Sequence, residues 1–154
     1  MICNNLDDFK NNLKNNKRII GLDIGKKTIG IALSDRDKNI ATPKFIIRRK
    51  NIIEDIKILT TYIIDNDVCA IVSGLPLNSK EENINSCNYI NKFIDKLDEK
   101  INLPILFSNE FLTSFAAEDF LIDEMKTSYK KTKNIVDKVA AAIILQEILN
   151  KINK

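Results

Sequence analysis

The chain has 154 residues, enough for one ordinary domain and too few for two full-sized ones, and we read residues 1–154 as a single domain. With 44% apolar and 29% charged residues it is globular rather than disordered, and a net charge of +3 is too small to imply nucleic-acid binding by itself. The absence of histidine excludes histidine general bases, Ser-His-Asp and Cys-His nucleophiles, and histidine-ligated zinc.

In chain order, Leu6, Phe9 and Leu13 recur at helical spacing and predict a short helix within residues 5–14. Residues 18–24 form a near-continuous apolar run, the pattern of a strand buried on both faces. Gly25, Lys26 and Lys27 make a turn, and residues 28–33 a second strand. A polar turn over 35–39 leads into a third strand over 40–48, in which Pro43 predicts a bend or bulge. Links this short favour an antiparallel meander. The period then changes: Ile53, Ile56, Leu59, Ile63 and Ile64 predict a helix. A strand over 68–72 follows, then a helix over 84–97 with Cys87, Ile90, Phe93, Ile94 and Leu97 on one stripe. A strand over 104–107, a helix over 113–125, a loop over 126–133 and a last helix over 135–152 complete the chain. The class is α/β: a mixed five-stranded sheet, a meander of three strands plus two parallel strands, with helices on both faces.

Charge is clustered. KFIIRRK (residues 44–50) and MKTSYKKTKN (residues 125–134) each hold four basic residues and no acid. They are phosphate footprints or merely solvated loops. Cys3, Cys69 and Cys87 are isolated, which points to reduced thiols and a cytoplasmic protein. The start lacks the basic and apolar regions of a secretory signal. The apolar run over 139–145 is too short for a bilayer, so no membrane partner is expected.

Three carboxylates stand in unusual settings: Asp23 inside the first strand, Glu110 just after the strand PILFS, and Asp137 in the first turn of the last helix. In open α/β sheets, sites gather beyond the carboxyl ends of parallel strands, where Glu110 falls. A last helix carrying Ala140, Ala141 and Ala142 can approach the sheet closely and bring Asp137 towards Asp23. Two carboxylates about 4 Å apart repel by roughly 4 kcal/mol at an effective dielectric near 20. Divalent cations such as Mg²⁺ offset that and serve phosphodiester hydrolysis without histidine. Each residue also has a plainer role: Asp23 as a turn cap, Glu110 paired with a surface lysine, Asp137 facing the helix macrodipole.

GLDIGKKTIGIALSD (residues 21–35), VSGLPLN (72–78), NEFLTS (109–114) and VDKVAAAIILQEIL (136–149) occur in this order. On these motifs the chain resembles, over about residues 5–150, the bacterial YqgF family. That family is described as Holliday-junction resolvases and as nucleases trimming the 5′ end of the small-subunit ribosomal RNA precursor. The resemblance implies a ribonuclease-H-like fold, and metal-binding and catalytic roles for Asp23, Glu110 and Asp137. The family's usual Asp-Glu-Arg-Leu-Thr-Thr is altered here: Asn109 replaces the Asp, Phe111 the Arg and Ser114 the second Thr. The arginine's bidentate phosphate donor is thereby lost. Ser79 to Asn83 replace the family's glycine-containing turn.

The expected activity is a metal-dependent nuclease with one or two Mg²⁺ or Mn²⁺ ions at Asp23, Glu110 and Asp137. Lys26, Lys27, Lys130, Lys131 and Lys133 would contact phosphates, and Thr113 either a phosphate or its helix's first turn. The substrate would be structured RNA, most directly pre-16S rRNA, or branched DNA, cut by a monomer or a homodimer. The alternatives are a Holliday-junction resolvase and a non-catalytic RNA-binding assembly factor. A sugar-kinase-type ATPase would share the Asp-x-Gly turn but needs two such domains, and no G-x-x-x-x-G-K-[ST] loop is present.

Overall fold

A computed structural model describes residues 1–75, 81–109 and 129–154, with backbone alone for 81–86, 109 and 129–137. The elements are α1 (Leu6–Asn11), β1 (Arg18–Ile24), β2 (Thr28–Ser34), β3 (Ala41–Arg48), α2 (Ile52–Asp65), β4 (Val68–Leu75), α3 (Glu81–Lys100), β5 (Ile105–Asn109) and α4 (Tyr129–Ile152). The helix predicted over 113–125 lies outside the described residues. So does the loop over 126–133, except that residues 129–133 are helical: α4 begins two turns earlier than the sequence pattern suggests. Among the described residues no helix is long and apolar enough to cross a membrane.

The sheet has the order β3-β2-β1-β4-β5. β1, β2 and β3 form the expected antiparallel meander, and β4 and β5 add in parallel to β1. β1 is central, which is why its run from Ile19 to Ile24 is buried throughout. The β2–β3 register slips between Ile31, paired with Phe45, and Ala32, paired with Pro43. The extra residue is Lys44, beside the proline on an edge strand where a missing donor costs nothing.

Strand alternation divides the core in two. Ile20, Leu22 and Ile24 face α2 and α3, among Ile56, Leu59, Ile63, Ile90, Phe93, Ile94 and Leu97. Ile19 faces the other layer, with Ala141, Ala142, Ile144, Leu145, Ile148 and Leu149 of α4 and Phe9 of α1. Of the stripe predicted on α3, Ile90, Phe93, Ile94 and Leu97 are buried in this core and Cys87 is half-buried. On α2, Ile53 and Ile64 point out instead, 78% and 68% exposed. Both lie about 100° or more around the helix from the centre of the buried stripe, and one sheet face accommodates only that stripe. Asn51 and Asn5 cap α2 and α1, accepting from the Glu54 N–H at 2.9 Å and the Asp8 N–H at 2.8 Å.

The direction of α4 matters for the site. Its Gln146 binds the Ala41 N–H and the Asn39 carbonyl, and Asn153 donates to the Lys38 carbonyl. That turn lies at the amino end of β1, where the buried Ser34 hydroxyl accepts from the Ile19 N–H at 2.8 Å. Hence α4 runs antiparallel to β1, with its amino-terminal half towards the carboxyl ends of the parallel strands.

Candidate active site

Asp23 sits near the carboxyl end of β1, opposite Gly30 of β2, and is 9% exposed. It lies two residues beyond Gly21, so its side chain shares the α4 face of the sheet. On the other flank, Leu22 pairs with Ser73, so the next residue of β4 level with Asp23 is Gly74, which pairs with Ser108 of β5. Asp23 is therefore flanked on both neighbouring strands by glycines, whose missing side chains keep the surroundings of the carboxylate uncrowded.

Gly21 explains how α4 comes so close. A Cβ built there would lie 2.8 Å from the Ala141 carbonyl oxygen and 2.8 Å from Leu145 Cβ. Only glycine on the strand and alanine on the helix allow this approach. Ala140 and Ala141 are fully buried, Ala141 within the layer between α4 and the sheet.

Glu110 lies outside the described residues; its neighbour Asn109 ends β5 in register with Leu75. Asp137 lies on α4, and only its backbone is described. The expected place for it, the first turn of the last helix, is corrected: it is the ninth residue from Tyr129, in the third turn. The macrodipole acts within the first turn, so it no longer accounts for an aspartate there. Lys130, Lys131 and Lys133 belong to the first turns of α4 rather than to a loop, and only their backbone is described. Thr113 is outside the described residues. Lys26 and Lys27 are exposed in the turn that follows Asp23, closed by the Gly25 N–H donating to the Thr28 carbonyl at 2.8 Å.

The sequence singled out residues 44–50 only as a basic run; the structure makes one member of it a clamp. Arg49 donates through Nε to Asp55 at 3.2 Å and through Nη1 to the Gly25 carbonyl at 3.0 Å, and stacks 5.2 Å from the Phe93 ring centre. Asp55, 1% exposed, also accepts from the Lys50 N–H. A buried charge needs such neutralisation. The signal in the sequence was a carboxylate on the apolar stripe of α2.

The chain can now be set beside known proteins. The family model described as RuvX: Holliday junction resolvase matches residues 17–151. A protein of Caldanaerobacter subterraneus subsp. tengcongensis is 41% identical over 133 residues, covering 86% of this chain and 96% of its own. A protein of Wolbachia pipientis wMel is 39% identical over 99% of this chain and 98% of its own. Both are named as candidate nucleases of pre-16S rRNA. Among solved structures, the T. thermophilus RuvC in complex with a Holliday junction substrate superposes with a TM-score of 0.52 at 9% identity, covering 83% of this chain and 91% of that one. The fowlpox virus Holliday junction resolvase gives 0.52 at 16% identity, covering 88% and 98%. At such identity these two speak for the fold alone, and the fold is the ribonuclease-H-like arrangement of resolvases. With the family model spanning most of its length and relatives near 40% identity over almost all of it, the chain belongs to the RuvX family.

Proposed function

We propose that this chain is a nuclease, a single-domain phosphodiester hydrolase that processes the 5′ end of pre-16S rRNA in the cytoplasm. Membership of the family and the names of its close relatives support the activity and the substrate. The buried free thiols of Cys3 and Cys69 suit a reducing compartment.

Asp23, Asp137 and Glu110 form the catalytic set in this reading. The observation that carries it is the contact of α4 with Gly21. Four residues back from Ala141 is about 6 Å along the helix, and two residues forward from Gly21 is about 6.6 Å along the strand. Because the two elements run in opposite directions, both steps lead the same way, towards a common level for Asp137 and Asp23. Glu110 follows β5 directly, two residues beyond the row shared by Asp23, Gly74 and Ser108.

The donor set fits a hard divalent ion: oxygen ligands only, one of them a nearly buried carboxylate between two glycines. Mg²⁺ or Mn²⁺ would be held by Asp23, Glu110 and Asp137, and would supply activation of water and stabilisation of the leaving oxygen. The chain's own contribution is to fix Asp23 on the central strand, to seat α4 against it, and to offer Lys26 and Lys27 to the phosphates beside the cut.

The test uses an RNA hairpin with a 5′ extension and a four-way DNA junction, each with Mg²⁺ or Mn²⁺. Wild type cleaves the RNA, EDTA stops it, and Asp23→Asn binds the RNA without cutting it. Equal cleavage by wild type and Asp23→Asn refutes the assignment. Cleavage of the junction in preference to the RNA replaces the substrate by branched DNA and favours the resolvase reading.

A further inference from the structure

On the side of the sheet away from α4, at the same end as Asp23, lies a cleft of about 370 Å³ lined by Lys26, Arg49, Lys50, Asn51, Asp55 and Tyr89. This is within the usual range of ligand sites, about 300–1,000 Å³. We infer that this cleft holds a backbone phosphate of the substrate strand, a few nucleotides from the one that is cut. The inference rests on the nuclease reading and adds a second, non-catalytic anchor to it.

Four observations carry it. Among the described residues the lining has three cations and one carboxylate, and that carboxylate is already neutralised. Asp55 is buried and takes the Arg49 Nε–H and the Lys50 N–H. Elsewhere some exposed cations are paired, Arg36 with Asp67, Lys96 with Glu99 and Lys151 with Glu147, and others are single among the described residues; at this cleft three line one concave surface. Among the described residues the ammonium groups of Lys26 and Lys50 have no acidic partner, and Arg49 Nη2 has no acceptor in the protein. Arg49 is balanced by Asp55, but among the described residues the charges of Lys26 and Lys50 are not offset, a cost that an anion would relieve.

The second observation is rigidity. Arg49 is held from three sides, by Asp55, the Gly25 carbonyl and the Phe93 ring, so its guanidinium is oriented before any ligand arrives. A preoriented planar donor is suited to phosphate oxygens. Third, the charge continues beyond the cleft: Lys27 is exposed in the turn between β1 and β2, and Arg48 is exposed at the end of β3, paired in register with Thr28.

The last observation is position. Arg49 grips the carbonyl of Gly25, two residues beyond Asp23. Two to three strand residues span about 7–10 Å. Nucleotides rise about 3.4 Å each along one strand of a duplex, so the anchor falls some two or three nucleotides from the scissile bond. The strand would cross the rim of the sheet at the turn of Lys26 and Lys27, with one phosphate on either side.

The test measures binding without divalent metal, in EDTA, so that it is independent of cleavage. A fluorescein-labelled RNA hairpin with a 5′ extension, and the DNA of the same sequence, are titrated from about 50 to 200 mM salt. Lys50→Glu is compared with Lys100→Glu, an equal charge change at the exposed end of α3, at the opposite end of the sheet. Lys50→Glu weakens binding about tenfold more than Lys100→Glu, and Lys50→Ala lowers the salt slope by about 1. Both variants keep the wild-type melting curve, since Lys50 is exposed. An effect on RNA alone makes RNA the source of the phosphate, and an equal effect on DNA assigns the cleft to the backbone common to both. Lys50→Glu binding like Lys100→Glu overturns the proposal, as does a wild type that binds neither nucleic acid. If binding behaves as expected but Asp23→Asn cleaves like wild type, the catalytic assignment fails and the anchor stands.

Discussion

Gly21→Ala is the sharpest perturbation of the architecture. The added Cβ meets the Ala141 carbonyl oxygen and Leu145 Cβ, each at 2.8 Å, where ordinary contact begins at 3.4 Å. Neither can turn away, since the carbonyl belongs to the helix backbone and the leucine Cβ is fixed by it, so α4 itself must move by about 0.6 Å. Overpacking of a well-filled core costs typically 1–3 kcal/mol. Replacing a strand glycine returns about 0.5–1 kcal/mol through reduced chain entropy. The clash wins, and the expected net loss is about 1–2 kcal/mol in urea unfolding. The functional loss should be larger than the stability loss. Moving α4 shifts Asp137 relative to Asp23, and a misplacement of about 1 Å can cost 10²-fold in rate. Cleavage of the RNA hairpin by Gly21→Ala should therefore fall at least about tenfold at a temperature where the variant is fully folded. Unchanged stability and unchanged cleavage would refute both the close packing and its link to the site.

Three further outcomes follow from named contacts. Ser34→Ala leaves the buried Ile19 N–H without its acceptor and should cost about 1–3 kcal/mol in urea unfolding, with activity retained in the folded protein. Asp55→Ala strips Arg49 of its carboxylate. Because Arg49 is 18% exposed, the loss belongs at the lower end of the range for broken buried pairs, about 3 kcal/mol by thermal or urea unfolding. The Asp35 carboxylate is held below its ordinary range, first by the Ile40 N–H and also by the Asn39 N–H. Its folded-state value is the lower one, so its contribution is present above the unfolded value and lost as pH falls through the folded one. Wild type should accordingly lose more stability than Asp35→Asn as the pH drops through the acidic range, and parallel pH profiles of the two would disprove the linkage.

Much of this protein was legible in the chain because its strands are marked locally. The run over 18–24 carries only two charged residues, Arg18 and Asp23, since a central strand covered on both faces has no solvent side. The short turns at Gly25 and at residues 35–40 force antiparallel neighbours, and Pro43 announces the slip in register beside it. The ordered motifs likewise pointed to the family before any coordinates, and with it to Asp23. What the tertiary structure decided are facts about which distant residues meet. The pattern on α2 could not say that Ile53 and Ile64 face outward, because that depends on the single sheet face available to the helix. The lysine-rich stretch read as a loop, yet α4 begins at Tyr129, which moved Asp137 out of the first turn and removed its simplest explanation. Arg49 looked like one more surface cation until the fold brought it to Gly25, Asp55 and Phe93, 24, 6 and 44 residues away in sequence. Gly21 read only as a residue of a strand; its meaning comes from Ala141, 120 positions later, whose carbonyl leaves no room for a side chain. Periodicity is set by each element's own geometry and is written in neighbouring residues, whereas the approach of one element to another depends on shapes contributed from far along the chain.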